Sequence, residues 1–413
     1  MKRRDFLKTA STGAAALTMT AASYGRVVGA NDRISIGVVG CGGRGLRAHM
    51  PGVHVHSKTA NCEITAVADP WLPKREAAAA KVKEWYGKPA RAFVSYQDIL
   101  ALDDIDAVMI ASCDHQHTTH LEATAKAGKD AYCEKPLGMD FERVKSACDA
   151  VEKAGIVCQI GTQVRSYPTS TTCRRLVHEE GKLGKISRIE QVRNSTRPYW
   201  YSRIADAKPK EVDWKEFLMH RSMRPFRADH FSGWYGVRDF SDGPIPGLAS
   251  HFMDLIHYIT DARFPKSVVA QAGVFTFKDE HEFTCPDQVQ AVWTYPEGFM
   301  VSYATNFGNA NGNRIQFYGD HGTLDMTPWS KPTISNAGAR LPGELTKEPA
   351  AVEPTETPDH FLDWLQCIRS RGTCRAPISA GYQHAVAVLM AVKAHDTGLR
   401  QIYDHEKREI RAG

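Results

Sequence analysis

Short apolar segments alternate with helical segments from residue 33 to about residue 160, and this alternation constrains the fold more than any other feature of the chain. Near-continuous apolar strands separated by helices are typical of a parallel sheet that is covered on both faces. The chain is therefore predicted to begin with an α/β domain built on a doubly wound parallel (Rossmann) sheet. The predicted strands are RISIGVVG, CEITAVAD, RAFVSY, DAVMIAS, DAYCE and IVCQIG.

After about residue 185 the pattern changes to longer strands in which apolar and polar residues alternate with a period of two. The tight turn YPEG joins two of these strands as a hairpin. This pattern predicts a second, α+β domain with an open, mostly antiparallel sheet. One uncovered face of such a sheet commonly finds a partner, so a homodimer or homotetramer through the open sheet is expected.

A glycine-rich turn joins the first predicted strand to the first helix. Residues 40–45 read G-C-G-G-R-G and match the pattern G-x-G-x-x-G at the position that a dinucleotide-binding fold requires. The missing side chains let the backbone approach a pyrophosphate at the helix N-terminus. A bound dinucleotide is therefore predicted, with contacts from Gly40, Gly42, Gly43, Arg44 and Gly45.

Asp69 ends the second predicted strand and indicates which dinucleotide binds. A carboxylate at this position accepts hydrogen bonds from the adenosine ribose and repels a 2′-phosphate, so NAD is predicted ahead of NADP. Lys74 and Arg75 leave NADP open as the alternative. An Asx cap before Pro70 is the structural alternative for Asp69.

The stretch YCEKP, residues 132–136, marks the carboxyl end of a further predicted parallel strand. Ligands of doubly wound folds bind beyond such strand ends, so Lys135 is expected to face the cofactor crevice. Its ammonium group would hydrogen-bond a substrate hydroxyl and the cofactor ribose, and partial burial would lower its pKa. Glu134 and Lys135 are predicted to belong to the cofactor site, with Glu134 paired to a neighbour; a solvated surface lysine is the alternative for Lys135.

These features divide the chain into an NAD(P)-binding Rossmann domain at residues 31–160 and an α+β substrate-binding and oligomerisation domain at residues 161–378. A C-terminal helix and tail at residues 379–413 are expected to pack back on the first domain. Residues 1–30 carry Arg3-Arg4, a weakly apolar stretch and small residues before Ala30, which resembles a twin-arginine export signal. We therefore expect a periplasmic or otherwise exported protein; a ragged cytoplasmic N-terminus is the alternative.

Charge and hydropathy exclude two other classes of protein. Most of the formal net charge of +5 lies in the first thirty residues, and the rest of the chain has no basic stripe for nucleic acid. No segment after the signal is apolar for long enough to span a membrane. The ten cysteines form no C-x-x-C pair and most lie in apolar runs, so a disulfide framework is not expected.

The glycine turn, the segment IASCDHQHTTHLEATAKAGKDAYCEKPLGM and the antiparallel second half resemble the Gfo/Idh/MocA family of oxidoreductases, over essentially the whole chain after the signal. The resemblance implies that Ser112, Asp114 and His117 belong to the cofactor site, with Asp114 and His117 near the nicotinamide. It also implies that Lys135 and His251 flank the reacting carbinol, with His251 as the base. In the family helix motif D-x-x-x-H followed by x-x-D, Asp254 matches the last aspartate, whereas Gly247 replaces the first.

A metal site is the alternative interpretation of this helix. His251, Asp254 and His257 spread over about 120° of a helix face, which would suit a metal ion, but no fourth ligand is visible in the sequence. A structural role is the simpler interpretation of His257, and no metal is predicted.

Substrate contacts are expected from the aromatic and arginine-rich insertion at residues 197–245, because aromatic faces stack on sugars and arginine binds hydroxyl and acidic groups. The insertion is equally typical of an oligomer interface. The predicted substrate residues are Arg165, Arg197, Tyr199, Tyr201 and Asp254.

Together these features predict an exported, NAD-dependent oxidoreductase that transfers hydride between a sugar or glycoside carbinol and a tightly held nicotinamide. Tight binding is expected because an exported enzyme has no dependable pool of NAD. One alternative is a redox-neutral glycoside hydrolase or lyase, in which a tyrosine such as Tyr199 or Tyr201 removes the C2 proton. The other is a non-catalytic sugar-binding or scaffold protein.

Overall fold

The computed structural model describes residues 32–413, which form two domains, each organised around one sheet. The first sheet has six strands in the order β3-β2-β1-β4-β5-β6, and every neighbouring pair is parallel. The predicted doubly wound parallel sheet is therefore confirmed. Its strands are β1 (Ile34–Val39), β2 (Cys62–Ala68), β3 (Arg91–Phe93), β4 (Ala107–Ile110), β5 (Asp130–Cys133) and β6 (Cys158–Ile160).

The register of this sheet brings the ends of its central strands to one edge. Val39 at the end of β1 pairs with Ala68 of β2 and with Ile110 of β4, and Ile110 pairs in turn with Cys133 of β5. Because parallel strands all end at the same edge, the loops that follow them meet there. The residues that directly follow these strand ends include the glycine turn, Asp69, Ser112 and Glu134.

Helices of the first domain lie between its strands. The longest of them end in glycine: α2 at Gly87 (φ +80°) and α5 at Gly155 (φ +62°). A left-handed residue is a common helix terminator, and only glycine adopts this conformation without a steric penalty. The helices are α1 (Met50–His54), which continues a π-helical turn at Gly45–His49, α2 (Leu72–Tyr86), α3 (Tyr96–Leu100), α4 (His117–Lys126) and α5 (Phe141–Ala154).

The second sheet has ten strands in the order β14-β13-β12-β11-β7-β10-β9-β8-β15-β16. Its pairs are antiparallel except that β7 and β10 run parallel, as the predicted mostly antiparallel sheet requires. The strands are β7 (Ile186–Val192), β8 (Ser267–Gly273), β9 (Gln288–Thr294), β10 (Met300–Asn306), β11 (Arg314–Gly319), β12 (Gly322–Asp325), β13 (Thr333–Ser335), β14 (Ala350–Ala351), β15 (Gln401–Asp404) and β16 (Glu409–Ala412).

One face of this second sheet is buried and the other is open. Along β10, Val301, Tyr303 and Thr305 are buried, whereas Met300 is 48% exposed, and Val269 on β8 is 50% exposed. The alternation of buried and exposed residues follows directly from the period of two in a strand. An oligomer through the open face stays a prediction.

The C-terminal region contacts both domains, whereas the sequence predicts packing on the first. The helix α11 (Ile378–Thr397) packs on α5 and β6 of the first domain, but also on β8 and on α9 (Ser250–Thr260) of the second. The tail extends the second sheet, in which β15 pairs with β8 and β16 follows it as an edge strand. It also contacts the first domain, since Arg408 Nη1 donates to Asp149 Oδ1 on α5 at 2.8 Å. A further segment that joins the Rossmann core is α10 (His360–Ser370), whose Trp364 and Leu365 are fully buried there. Its apolar face fits the first core better than a half-exposed tail does.

The remaining helices are short and lie mostly around the insertion. They are α6 (Pro168–Arg174), α7 (Trp214–Leu218), α8 (Ala228–Ser232) and α9 (Ser250–Thr260), with a π-helical turn at Ile245–Ala249 leading into α9. The insertion has its own aromatic core, which includes Trp200, Phe217, Phe231 and Phe240.

The predicted export signal at residues 1–30 lies outside the described residues. Among residues 32–413, no helix combines the length and the apolar character needed to cross a bilayer.

Candidate active site

The glycine turn has the shape that a dinucleotide pyrophosphate needs. Gly40 adopts φ +92°, and a Cβ atom on it would lie 2.5 Å from the backbone nitrogen of Ser112. A Cβ atom on Gly45 would overlap the carbonyl oxygen of Gly40, whereas Gly42 faces open space. Gly40 therefore lets the turn approach the neighbouring loop, Gly45 lets the turn close on itself, and Gly42 leaves room for a ligand. The residues present fit an NAD-type cofactor.

A cavity of about 610 Å³ opens beside this turn. Its floor comes from the first domain, including Gly42 and Asp69, and its walls carry the cations Arg44, Arg47 and Lys74. Cations at a helix N-terminus suit the two negative charges of a pyrophosphate. The insertion covers the cavity from the other side. The covering residues are Ser202, Arg203, Ile204, Ala205, Phe231, Ser232, Trp234 and Tyr235.

Asp69 lines the cavity and also organises the turn. Its Oδ2 accepts a hydrogen bond from the backbone N–H of Cys41 at 2.7 Å, and its Oδ1 accepts one from Trp71 N–H at 2.8 Å. The bond to Trp71 is the Asx-type contact that the sequence left open as an alternative, and the bond to Cys41 holds the glycine turn in place. Each carboxylate oxygen keeps a further lone pair that a ribose hydroxyl can use.

Glu134 is buried at the end of β5 within a cluster of hydrogen bonds. Its Oε1 accepts from Arg44 Nε at 2.8 Å and faces His49 Nε2 at 2.7 Å, and its Oε2 accepts from the backbone N–H of Lys135 at 3.0 Å. Burial alone would raise the pKa of Glu134, but the bond from His49 and the charge of Arg44 hold that pKa well below its ordinary value. Glu134 is thus a buried anion that ties the glycine turn to the strand carrying Lys135.

Lys135 points toward the second domain. Its Nζ donates a hydrogen bond to the carbonyl oxygen of Gly247 at 2.7 Å. Burial lowers the pKa of Lys135, although the charges of Glu134 and Asp114 act in the opposite direction. The direction of the pKa shift matches the sequence prediction. The contact with Gly247 places the ammonium group between the two domains, whereas Lys135 was expected to face the cofactor crevice and is not among the residues that line the cavity.

His251 lies about one helical turn after Gly247, at the beginning of α9. Its Nδ1 is buried without a hydrogen-bond partner, and its ring meets Trp329 edge-on with 5.9 Å between the ring centres. Burial, followed by the charge of Lys135, lowers the pKa of His251 well below its ordinary value. His251 is therefore a neutral imidazole near Lys135, which is the state that a general base needs.

Asp114 is buried in the loop after β4, where its Oδ2 accepts a hydrogen bond from Ser241 Oγ at 2.8 Å. Burial raises the pKa of Asp114 to about 7, although the charge of Lys135 lowers it. An unfolded aspartate has a pKa of about 3.9, so the folded protein binds the extra proton between about pH 4 and pH 7. This contribution to stability is present at low pH and is lost as the pH rises through about 7.

The substitution Asp114→Asn is therefore expected to flatten the pH dependence of stability. Wild type should lose free energy of unfolding between about pH 4 and pH 7, and the variant should lose less, because the amide does not ionise. Urea denaturation of the full chain at both pH values measures the difference. The exposed Asp103→Asn serves as control, and an equal slope in the Asp114 variant would contradict the assignment.

The histidines near Asp114 have structural contacts. His117 lies between two carbonyl oxygens, with its Nδ1 2.7 Å from Pro136 O and its Nε2 3.1 Å from Ser112 O. It is buried and connects the loop after β4 to the loop after β5. Ser112 itself lines the cavity, and its Oγ lies 2.9 Å from His120 Nδ1.

Arg165 and Asp254 bind each other. Arg165 donates from Nη2 to Asp254 Oδ1 at 2.7 Å and from Nε to Oδ2 at 3.1 Å, and both residues are buried. The guanidinium also lies over the ring of Tyr258, 4.9 Å from its centre. Because the two charged groups already satisfy each other, they have little capacity left to bind a substrate. The two residues were predicted to contact the substrate, but in the structure they join α9 to the segment after β6.

The three predicted residues of the insertion lie in different surroundings. Arg197 is exposed and lies over the ring of Tyr201 at 4.1 Å, and Tyr201 Oη donates to Asp279 Oδ2 at 2.6 Å. Tyr199 instead points inward: its Oη is buried next to Gly247. Only Tyr199 of these three reaches the region of Lys135.

Metal-ligand spacing occurs elsewhere in the described chain. Among residues 32–413, the group with ligand atoms within 4.8 Å of one another is Asp363, Cys367 and Cys374. His257, which was considered as a metal ligand, has its Nε2 2.8 Å from Tyr295 Oη.

All but one of the ten cysteines are buried, and all ten are free thiols.

The sequence interpretation missed several residues of the site. His49 is fully buried against Glu134, and Arg203 and Tyr235 cover the cavity. His49 lies one turn after Gly45 in the helix that follows the glycine turn, which was a usable signal. Arg203 and Tyr235 come from the irregular insertion, where no local pattern shows which side chains turn inward.

Two family models match the chain and together cover more than half of it. They are "Oxidoreductase family, NAD-binding Rossmann fold" over residues 34–162 and "GFO/IDH/MocA C-terminal domain" over residues 216–325. The inositol 2-dehydrogenase of Rhizobium meliloti (strain 1021) is 30% identical over 156 residues, which are 38% of this chain and 44% of that protein. The chain thus matches about half or less of the length of its curated relatives.

Solved structures show the same fold. The WlbA dehydrogenase from Bordetella pertussis in complex with NADH and UDP-GlcNAcA aligns with a TM-score of 0.67 and 21% identity, over 90% of this chain and 99% of that one. The aldose-aldose oxidoreductase from Caulobacter crescentus complexed with glycerol aligns with a TM-score of 0.67 and 19% identity, over 89% and 99%. With both of its domains matched by models of one family, the chain belongs to the Gfo/Idh/MocA family of NAD-binding oxidoreductases.

Proposed function

We propose that this protein is an NAD-dependent oxidoreductase that acts on a carbinol of a sugar, polyol or glycoside and retains its cofactor. The observation that carries the proposal is the approach of Lys135 and His251 from different domains: Lys135 Nζ bonds Gly247 O at 2.7 Å, one helical turn before His251. Relatives named as inositol and aldose oxidoreductases support the substrate class.

When bound, NAD supplies the hydride acceptor for oxidation of the carbinol. The residues that would hold it are the glycine turn, Arg44 and Asp69, together with the covering residues of the insertion. His251, neutral in the folded protein, takes the proton from the carbinol oxygen. Lys135 donates a hydrogen bond to the same oxygen and stabilises the negative charge that develops on it.

Cofactor retention is supported by the cover over the cavity. Arg203, Trp234 and Tyr235 close the side opposite the glycine turn, and Trp234 and Tyr235 stack with 3.6 Å between ring centres. The insertion is anchored to the second domain, since Arg238 donates two hydrogen bonds to Asp396 on α11 at 3.0 and 2.9 Å. Release of the dinucleotide would require this layer to move. Retention in turn suits the exported location that we also propose for the mature chain.

Two measurements on the purified full chain test the proposal. Mass spectrometry after denaturation should find NAD or NADH at close to one molecule per chain. Addition of myo-inositol, D-glucose or D-xylose should then produce reduced nicotinamide in a single turnover, which continues only when a second sugar carbonyl is added as acceptor. Absence of bound dinucleotide would overturn retention, and absence of nicotinamide reduction with every sugar would overturn the oxidoreductase.

The redox-neutral glycosidase needs a base for the C2 proton. Tyr199 lies beside Gly247, but burial and the charge of Asp114 hold its pKa well above the ordinary value, so the phenol stays protonated and cannot readily accept the C2 proton. This observation favours the oxidoreductase. Release of the aglycone from methyl or nitrophenyl glycosides with no net nicotinamide reduction would favour the glycosidase instead.

A further inference from the structure

Tyr199 and position 247 compete for the same space. A Cβ atom on Gly247 would lie 2.5 Å from Tyr199 Oη and 3.6 Å from Tyr199 Cζ. The first distance is an overlap and the second an ordinary contact, so the hydroxyl group alone excludes a side chain at position 247. The glycine is what allows Tyr199 Oη to reach this point.

This point belongs to the polar cluster around Lys135. The carbonyl group of the same Gly247 accepts the hydrogen bond from Lys135 Nζ. Tyr199 Oη and Lys135 Nζ thus both lie against Gly247. Tyr199 therefore reaches the proposed reaction centre from the insertion, across a distance in sequence that no local motif spans.

Tyr199 Oη is buried and has no hydrogen-bond partner. A buried hydroxyl without a partner is unfavourable, so a group that is present only in a complex would improve its energy. The ring is held by edge-on contacts with Trp200, Tyr235 and Phe307 at 5.2, 5.3 and 6.0 Å. The hydroxyl is thus rigidly positioned with an unused donor.

We propose that Tyr199 is a third catalytic residue, which donates a hydrogen bond to the oxygen of the reacting carbinol from the place that a side chain at position 247 would otherwise fill. This inference rests on the proposed function. In the reaction the carbinol carbon gives up a hydride to the nicotinamide, and its oxygen gives up a proton to His251. The Tyr199 proton stays on the phenol throughout, so the residue acts as a donor and not as the base.

The substitution Tyr199→Phe tests the catalytic role because it removes only the hydroxyl. In the full chain loaded with NAD, the single-turnover rate constant for nicotinamide reduction by myo-inositol, D-glucose or D-xylose should fall about 100-fold. The sugar concentration at half-maximal rate should change by less than about threefold, because the bond strengthens as charge develops on the oxygen. The control is Tyr382→Phe on α11, which removes a hydroxyl that contacts Tyr403 and Arg408 and should leave the rate unchanged.

A stability cycle tests the geometry without any turnover. Gly247→Ala should lower the Tm of wild type because its methyl group overlaps Tyr199 Oη. In the Tyr199→Phe background the nearest ring atom is Cζ at 3.6 Å, so Gly247→Ala should cost little or nothing there. Equal losses of Tm in both backgrounds would show that the two groups do not meet and would overturn the inference.

The two readouts separate the possible failures. The Tm losses could be coupled as expected while Tyr199→Phe leaves the single-turnover rate constant unchanged. That result would make Tyr199 a packing residue and overturn its catalytic role, but it would not contradict the proposed oxidoreductase activity. A wild type that reduces no nicotinamide with any of the sugars would overturn the proposed function and the role of Tyr199 together, even if the stability coupling is observed.

Discussion

Replacing Lys135 with methionine is expected to lower the single-turnover rate constant of nicotinamide reduction by about 10³-fold. Methionine keeps the length and apolar body of the side chain but removes the charge and the donor that bonds Gly247 O. The carbinol oxygen of the substrate would then have no cation beside it at the end of β5 when negative charge develops on it. The rate is measured on the full chain with myo-inositol, D-glucose or D-xylose, beside the dinucleotide content of the same preparation.

Cofactor content separates catalysis from binding in this experiment. The glycine turn and Asp69 are untouched, so the Lys135→Met variant should carry as much dinucleotide as wild type. Lys126→Met is the matched control, because Lys126 is an exposed helix residue paired with Glu122. A Lys135→Met variant with a rate within about threefold of wild type would remove Lys135 from the reaction.

The substitution Arg165→Met is expected to reduce the free energy of unfolding by about 3–5 kcal/mol, the largest effect on stability that we expect from one side chain. It leaves the Asp254 carboxylate buried without its two-point partner. The cost arises from the unpaired charge, since a buried ion pair and an apolar pair of similar volume differ little in stability. Urea denaturation measures the loss.

An exposed arginine–aspartate pair that is also joined by two hydrogen bonds provides the control. Arg91 binds Asp104 through two bonds of 3.0 and 2.9 Å at the surface, so Arg91→Met should cost no more than about 1 kcal/mol. The double variant Arg165→Met/Asp254→Leu should recover much of the loss because it removes both charges. If Arg165→Met lowers the free energy of unfolding no more than Arg91→Met does, the buried charge of Asp254 is not compensated by Arg165.

The elements of both sheets were predictable from local patterns. Strands such as Ala107–Ile110 are buried on all sides and therefore read as continuous apolar runs, and strands such as Gln288–Thr294 alternate because one face is open. The path of the C-terminal tail was not predictable in this way. Whether an amphipathic segment extends a sheet or covers a core depends on which edge is free, and the sequence does not state this.

Some residues of the candidate site could likewise be predicted from local pattern, and others could not. Gly40, Asp69 and Lys135 were placed correctly at the ends of parallel strands, since the fold rule that collects strand ends at one edge needs no side-chain detail. Arg165 and Asp254 looked available for a substrate because they are charged, yet they neutralise each other across 89 residues of chain. Their pairing is a matter of packing between β6 and α9.

For this chain, sequence periodicity, one glycine turn and the position of a lysine at a strand end were enough to determine the two-sheet architecture and the cofactor edge, because each depends on neighbours within a few residues. Only the tertiary structure decided which polar groups are already satisfied and which remain free. Hydrogen bonding depends on distance in space, and it leaves the Tyr199 hydroxyl unpaired beside Gly247, while Asp69 is bonded to Cys41 and Arg165 to Asp254.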